Sequence, residues 1–183
     1  VEELYGHVET DFCLTVQLDG FVVNPGLWDP TFLDYDYIGA PWRTNLGRAL
    51  PTNYRVGNGG FSLRSQRLLY ESSQLTWTQD WSDYRLPKVQ GDPLGSVWFR
   101  RRPSRSTWGN EDNFLAWVKR AELDAKGIRF APVDVARRFS VQNRTKLDSG
   151  HTVDKTFGFH HRHLFPKVTA QLKRQGLEFP YER

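Results

Sequence analysis

Hydrophobic and polar positions alternate along this chain in short runs, and the runs predict short elements. Phe12-Cys13-Leu14-Thr15-Val16-Gln17-Leu18 is apolar and β-branched, and Asp19-Gly20 ends it, which predicts a buried strand. Asp34 to Ala40 predicts a second strand, stopped by Pro41, and Phe61-Ser62-Leu63 a third. Ser65 to Leu75 carries Leu68, Leu69, Ser72 and Leu75 at helical spacing. The clearest helical pattern begins at Asn110 as a cap. Glu111 and Asp112 fill its first turn, Phe114, Trp117, Val118 and Ala121 form its apolar face, and Gly127 stops it. Ile128 to Ala131 and Phe139 to Val141 predict further strands. Pro166 opens a last helix through Val168 and Leu172, ended by Gly176.

Strands and helices therefore alternate, which predicts the α/β class in one domain over residues 1–183. The polar, Pro/Gly-punctuated stretch from Gln79 to Gly109 has the length of a functional or mobile loop. Composition narrows the picture. Aromatic residues make up 14% of the chain, with seven tryptophans, which excludes a disordered segment. A net charge of +4 does not announce a nucleic-acid partner. No apolar run approaches the roughly 20 residues of a membrane span. The single cysteine, Cys13, has no internal disulfide partner and suits a reducing compartment. The expected location is cytoplasmic or peripheral to a membrane. The chain starts at Val1 and contains no methionine, so it reads as a fragment or processed product.

Four places carry candidate chemistry, each with a plainer reading. Gly57-Asn58-Gly59-Gly60 puts permissive backbone directly before a strand, either as a tight turn or to let a ligand lie against the main chain. Asp19, at the end of a predicted strand, starts a turn or offers a hard oxygen to a phosphate-carrying divalent cation; period two puts Gln17 on its face. Glu111-Asp112 serves the helix dipole, or supplies an ionised base beside a cleft. Three of the five histidines lie in His160-His161-Arg162-His163, a metal or phosphate candidate, although no His/Cys spacing for zinc exists. Arg100 to Arg105 is a solvated loop or a contact for an anionic partner or membrane surface, and nearby Trp77, Trp81, Trp98 and Trp108 offer flat faces for sugar rings.

In order along the chain, QLDGFVVNP (Gln17–Pro25), DYDYIGAPW (Asp34–Trp42), VGNGGFSLRS (Val56–Ser65), Glu111-Asp112, FAP (Phe130–Pro132), FSV (Phe139–Val141) and FGFH (Phe157–His160) form a specific set. The sequence resembles the DUF5672 family, similar in plan to GT-A-like glycosyltransferases that use a nucleotide sugar and a divalent cation. That resemblance implies a mixed sheet flanked by helices, and roles for matching positions. Asp19 and His160 hold the cation, Mn²⁺ or Mg²⁺. Asp112 is the catalytic base of an inverting transfer and Glu111 positions the acceptor. Gly59 and Gly60 expose backbone N–H groups to the sugars. Gln17, Asn58, Arg64 and Trp108 complete the donor and acceptor surfaces.

Two departures from that pattern matter. Gln17 stands where the first aspartate of a DxD motif is expected. Only sixteen residues precede it, too few for the nucleotide-binding βαβ region of a GT-A fold. The implied function is transfer of a sugar from a nucleotide donor to a carbohydrate or glycoconjugate acceptor. The alternative is a non-catalytic carbohydrate-binding module derived from the same fold. A nucleic-acid binder using Arg100 to Arg105 is weaker, because its charge is one local cluster.

Overall fold

The structure, a computed structural model, describes residues 3–42, 55–75, 111–142 and 150–177. Within them the chain is mixed α/β, but the strands divide between two three-stranded sheets rather than forming one. In the first, β1 (Phe12–Val16), β4 (Phe61–Ser65) and β3 (Tyr37–Gly39) run in the order β1-β4-β3 with antiparallel pairing. In the second, β2 (Gly20–Val22), β6 (Gly158–His160) and β5 (Ser140–Val141) run in the order β2-β6-β5. There β2 is antiparallel and β5 parallel to β6.

Burial explains the arrangement. β4 is buried on both faces, because Phe61 and Leu63 enter one core while Ser62 and Arg64 point to the other side. The Phe61 face packs with Phe32, Ile38, Phe139 and Phe157. Tyr37, beside Arg64 in register, joins Leu68, Phe114, Leu115 and Leu123 on the opposite side. A third apolar cluster, Val141, Phe159, Leu164 and Val168, fastens the second sheet to the C-terminal helix.

Several elements differ from the sequence pattern. β1 is a sheet edge, not a buried strand, and Leu14 and Val16 are exposed. The run from Asp34 is strand only from Tyr37, because Pro30–Asp34 forms a 3₁₀ turn whose cap Asp29 accepts from the Thr31 N–H. Helix α1 (Gln66–Ser73) buries Leu68, Leu69 and Ser72 as expected, with the Ser65 hydroxyl accepting from the Leu68 N–H. The helix expected from Asn110 is broken. A turn of α2 (Glu111–Asn113) passes into a π-helical segment, Phe114–Val118, and then α3 (Arg120–Ala125). The extra residue per turn rotates the apolar face, so Phe114, Leu115, Ala116 and Leu123 are buried and Ala121 is exposed.

Gly127 takes φ +77° after α3, and Phe130 makes only an isolated parallel bridge to Tyr37. An unforeseen helix, α4 (Val133–Phe139), precedes β5, and α5 (Phe165–Arg174) closes the described chain. Among the described residues no helix is long and apolar enough to cross a membrane.

Candidate functional site

The two sheets meet at Gly59 and Gly60. The Gln17 N–H donates to the Gly60 carbonyl at 2.8 Å, where β1 leaves the first sheet, and the next turn feeds β2 of the second. A Cβ on Gly59 would overlap the Glu111 carboxylate, and one on Gly60 would overlap the His160 imidazole. The glycines are therefore required for two side chains to close on the backbone from either side. The turn does not present all its N–H groups to a ligand, as the resemblance implied. Those of Asn58 and Gly59 donate to Asp112 Oδ2, at 3.1 and 3.3 Å. Asn58 itself sits at φ +70°, and its side-chain Nδ2 is buried without a hydrogen-bond partner.

On one side of this turn lies the acidic pair. Asp112 Oδ1 accepts from the Asn113 N–H at 2.9 Å, so both its oxygens are engaged by main chain. Burial, with help from the neighbouring Glu111 charge, pushes the Asp112 carboxyl above the usual carboxylate range. The expected support from a helix dipole is outweighed, since α2 is a single turn. Glu111 Oε1 accepts from Arg64 Nη2 at 2.7 Å. Arg64 is 2% exposed and Glu111 29%. The guanidinium also donates from Nε to Ser62 Oγ (3.0 Å) and from Nη2 to the Gly59 carbonyl (3.4 Å), and its Cζ lies 5.7 Å from the Tyr37 ring centroid.

On the other side, Gln17, Asp19 and His160 come together. His160 Nε2 lies 3.0 Å from Gln17 Oε1 and 3.1 Å from Asp19 Oδ1. A turn, closed by the Gly20 N–H to the Gln17 carbonyl (2.9 Å), aims the first two, because the strand ends at Val16. The period-two argument thus reached a correct neighbourhood for a different reason. The antiparallel pairing of Gly20 with His160 and the His161 N–H to the Asp19 carbonyl (2.8 Å) bring the third. Burial pushes the His160 imidazole below its ordinary value, more than the opposing Asp19 charge raises it. A proton on Nε2 would face both the Asp19 and the Gln17 oxygen.

These three donors fit a divalent cation. Adjacent ligands of an octahedral ion with bonds of about 2.1 Å sit about 3 Å apart, the separation His160 Nε2 already has from both oxygens. A cation there would leave the imidazole proton on Nδ1, which is buried without the acceptor that ordinarily orients a metal-bound imidazole. Among the described residues no three His, Cys, Asp or Glu side chains form a ligand set. The His161 and His163 rings pair with each other, their Nδ1 atoms 2.6 Å apart, with His161 at φ +107°.

Trp108, Gly109, Asn110, Arg100–Arg105 and the other tryptophans of that stretch lie outside the described residues. Reading by pattern missed the burial of Arg64. The available signal was a charge inside the strand that follows the glycines, with an acidic pair elsewhere to meet it. No curated protein and no solved structure matches the chain. Residues 1–160, which hold every element of this site, match the family described as "Protein of unknown function (DUF5672)", and the chain belongs to that family.

Proposed function

We propose that the chain is a GT-A-like glycosyltransferase domain that moves a sugar from a nucleotide-sugar donor to a carbohydrate-like acceptor with inversion. One observation carries this reading: the Gly59-Gly60 turn is the common wall of two polar groups, Glu111-Asp112 and Gln17-Asp19-His160. One group suits proton removal and the other suits cation holding. A binding module needs neither placed against the other.

Asp112 accepts the proton of the acceptor hydroxyl as that oxygen bonds to the anomeric carbon. The bond from that carbon to the diphosphate breaks, and the leaving diphosphate keeps the electron pair. A carboxyl raised by burial is a stronger base once ionised, which favours this role. Glu111, the more exposed of the pair, orients the acceptor while Arg64 holds one of its oxygens. Asp19, His160 and Gln17 would hold the divalent cation. When bound, it supplies positive charge to the departing diphosphate.

The test is nucleoside-diphosphate release from a panel of nucleotide sugars, with Mn²⁺ or Mg²⁺ and saccharide acceptors. Release that needs both cation and acceptor, and that Asp19→Asn abolishes, is expected. Saccharide binding without release from any donor would instead assign a carbohydrate-binding module.

A further inference from the structure

We infer that Arg64 is a positioning residue, whose guanidinium locks Glu111 to the Gly59 turn so that the turn and the acidic pair keep one register. At 2% exposure it acts through Glu111, and its role in turnover rests on the transferase reading above. A strand buried on both faces is an expensive place for a permanent charge, and β4 is such a strand. Arginine tolerates it here because Nε donates to Ser62 and Nη2 to both Glu111 and the Gly59 carbonyl.

Those partners are not equivalent. Ser62 Oγ itself donates to the Gly59 carbonyl at 3.2 Å, so one oxygen of the turn is held twice from below. Asp112 holds the Asn58 and Gly59 N–H groups from the other side. The peptide units of the turn are thus gripped through both carbonyl and amide, and Arg64 joins the two grips through Glu111, the neighbour of Asp112. This guanidinium carries a side-chain ion pair from β4 to the acidic pair, with Tyr37 as its apolar floor. A lysine cannot repeat it, because a point charge serves Glu111 or Gly59 but lacks the planar fork.

The test compares the full chain with Arg64→Lys and with Arg64→Met/Glu111→Gln, which removes both charges and so leaves no buried ion unpaired. The double variant is expected to melt near the parent temperature. Its Asn58 and Gly59 amides are expected to exchange about ten-fold faster or more. Turnover should fall about 10²-fold with donor KM retained, the cost of a misplacement of about an ångström. Arg64→Lys, which keeps the charge, should likewise melt near the parent temperature but lose amide protection. Parental exchange at Asn58 and Gly59 in the double variant, or full protection in Arg64→Lys, overturns the inference. The exchange measurement decides the clamp even if no nucleotide sugar is turned over, an outcome that removes only the transferase reading.

Discussion

Asp112 is asked to do two things that oppose each other. Its oxygens hold three main-chain N–H groups, yet burial and the Glu111 charge disfavour its ionised form. A carboxyl whose pKa is raised on folding contributes most below its unfolded value, and that contribution is lost as pH rises through the folded value. At neutral pH the wild-type carboxylate therefore costs stability. Asp112→Asn keeps an acceptor for the Asn58 and Gly59 N–H groups, gives up the bond from the Asn113 N–H, and removes the charge. It should melt at or above the wild-type temperature at pH 7, with the difference shrinking as pH falls toward the ordinary value of 3.8. The same change should lower turnover roughly 10²–10⁴-fold, the usual worth of a general base. Melting curves between pH 4 and 8 and a single rate assay check both. A variant that is less stable at pH 7 and equally fast would make Asp112 a turn clamp alone, and would pass the base to Glu111.

At the scale of elements, the glycine turn is the part whose sequence and structure agree least simply. The glycines read as turn or ligand platform, whereas the space they leave is filled by Glu111 and His160. Gly60→Ala should push the His160 imidazole out of line with Asp19 and Gln17. A fold cost of about 1–3 kcal/mol for overpacking is expected, along with loss of cation binding measured by titration calorimetry; undiminished cation affinity would show that His160 is no ligand.

The cores of β1, β3 and β4 and helix α1 were legible from alternation and leucine spacing, since local pattern sets them. The three-residue strands β2 and β6 were too short to show a period, and the run 128–131 makes only a bridge. The π-helical segment was not, because an inserted residue per turn leaves no compositional mark in Phe114–Val118. Helix α4 was hidden by its β-branched and aromatic residues. Its Val135, Ala136 and Phe139 nonetheless have helical spacing and are buried. The burial of Arg64 was hidden because a charge in a strand ordinarily faces water. Only the tertiary placement of Glu111 makes its burial tolerable. Asp19 and His160 came together through family resemblance, since no local rule relates residues that far apart in sequence.

The Gln17-Asp19-His160 group also belongs to the architecture of the whole molecule. Gln17 and Asp19 lie in the turn that carries the chain from the first sheet to the second, and His160 ends the central strand of the second. The described contacts tying the sheets here are the Gln17 N–H to Gly60, the His161 N–H to Asp19, and the two bonds at His160 Nε2. A cation held by these side chains would bind the folded chain and not the unfolded one, in which the three donors are scattered. Such a ligand stabilises by about 2.7 kcal/mol at a hundred times its Kd, or roughly 5–10 °C in Tm for a chain of this size. Mn²⁺ added to the metal-free full chain should raise Tm by that order, and EDTA should reverse it. Asp19→Asn and His160→Ala should each lose most of the shift, while a substitution of His163, which pairs with His161 away from this group, should keep it. A shift that survives both Asp19→Asn and His160→Ala would locate the ion elsewhere. No shift at millimolar Mn²⁺ would leave this junction a plain hydrogen-bonded one and remove the metal from the mechanism.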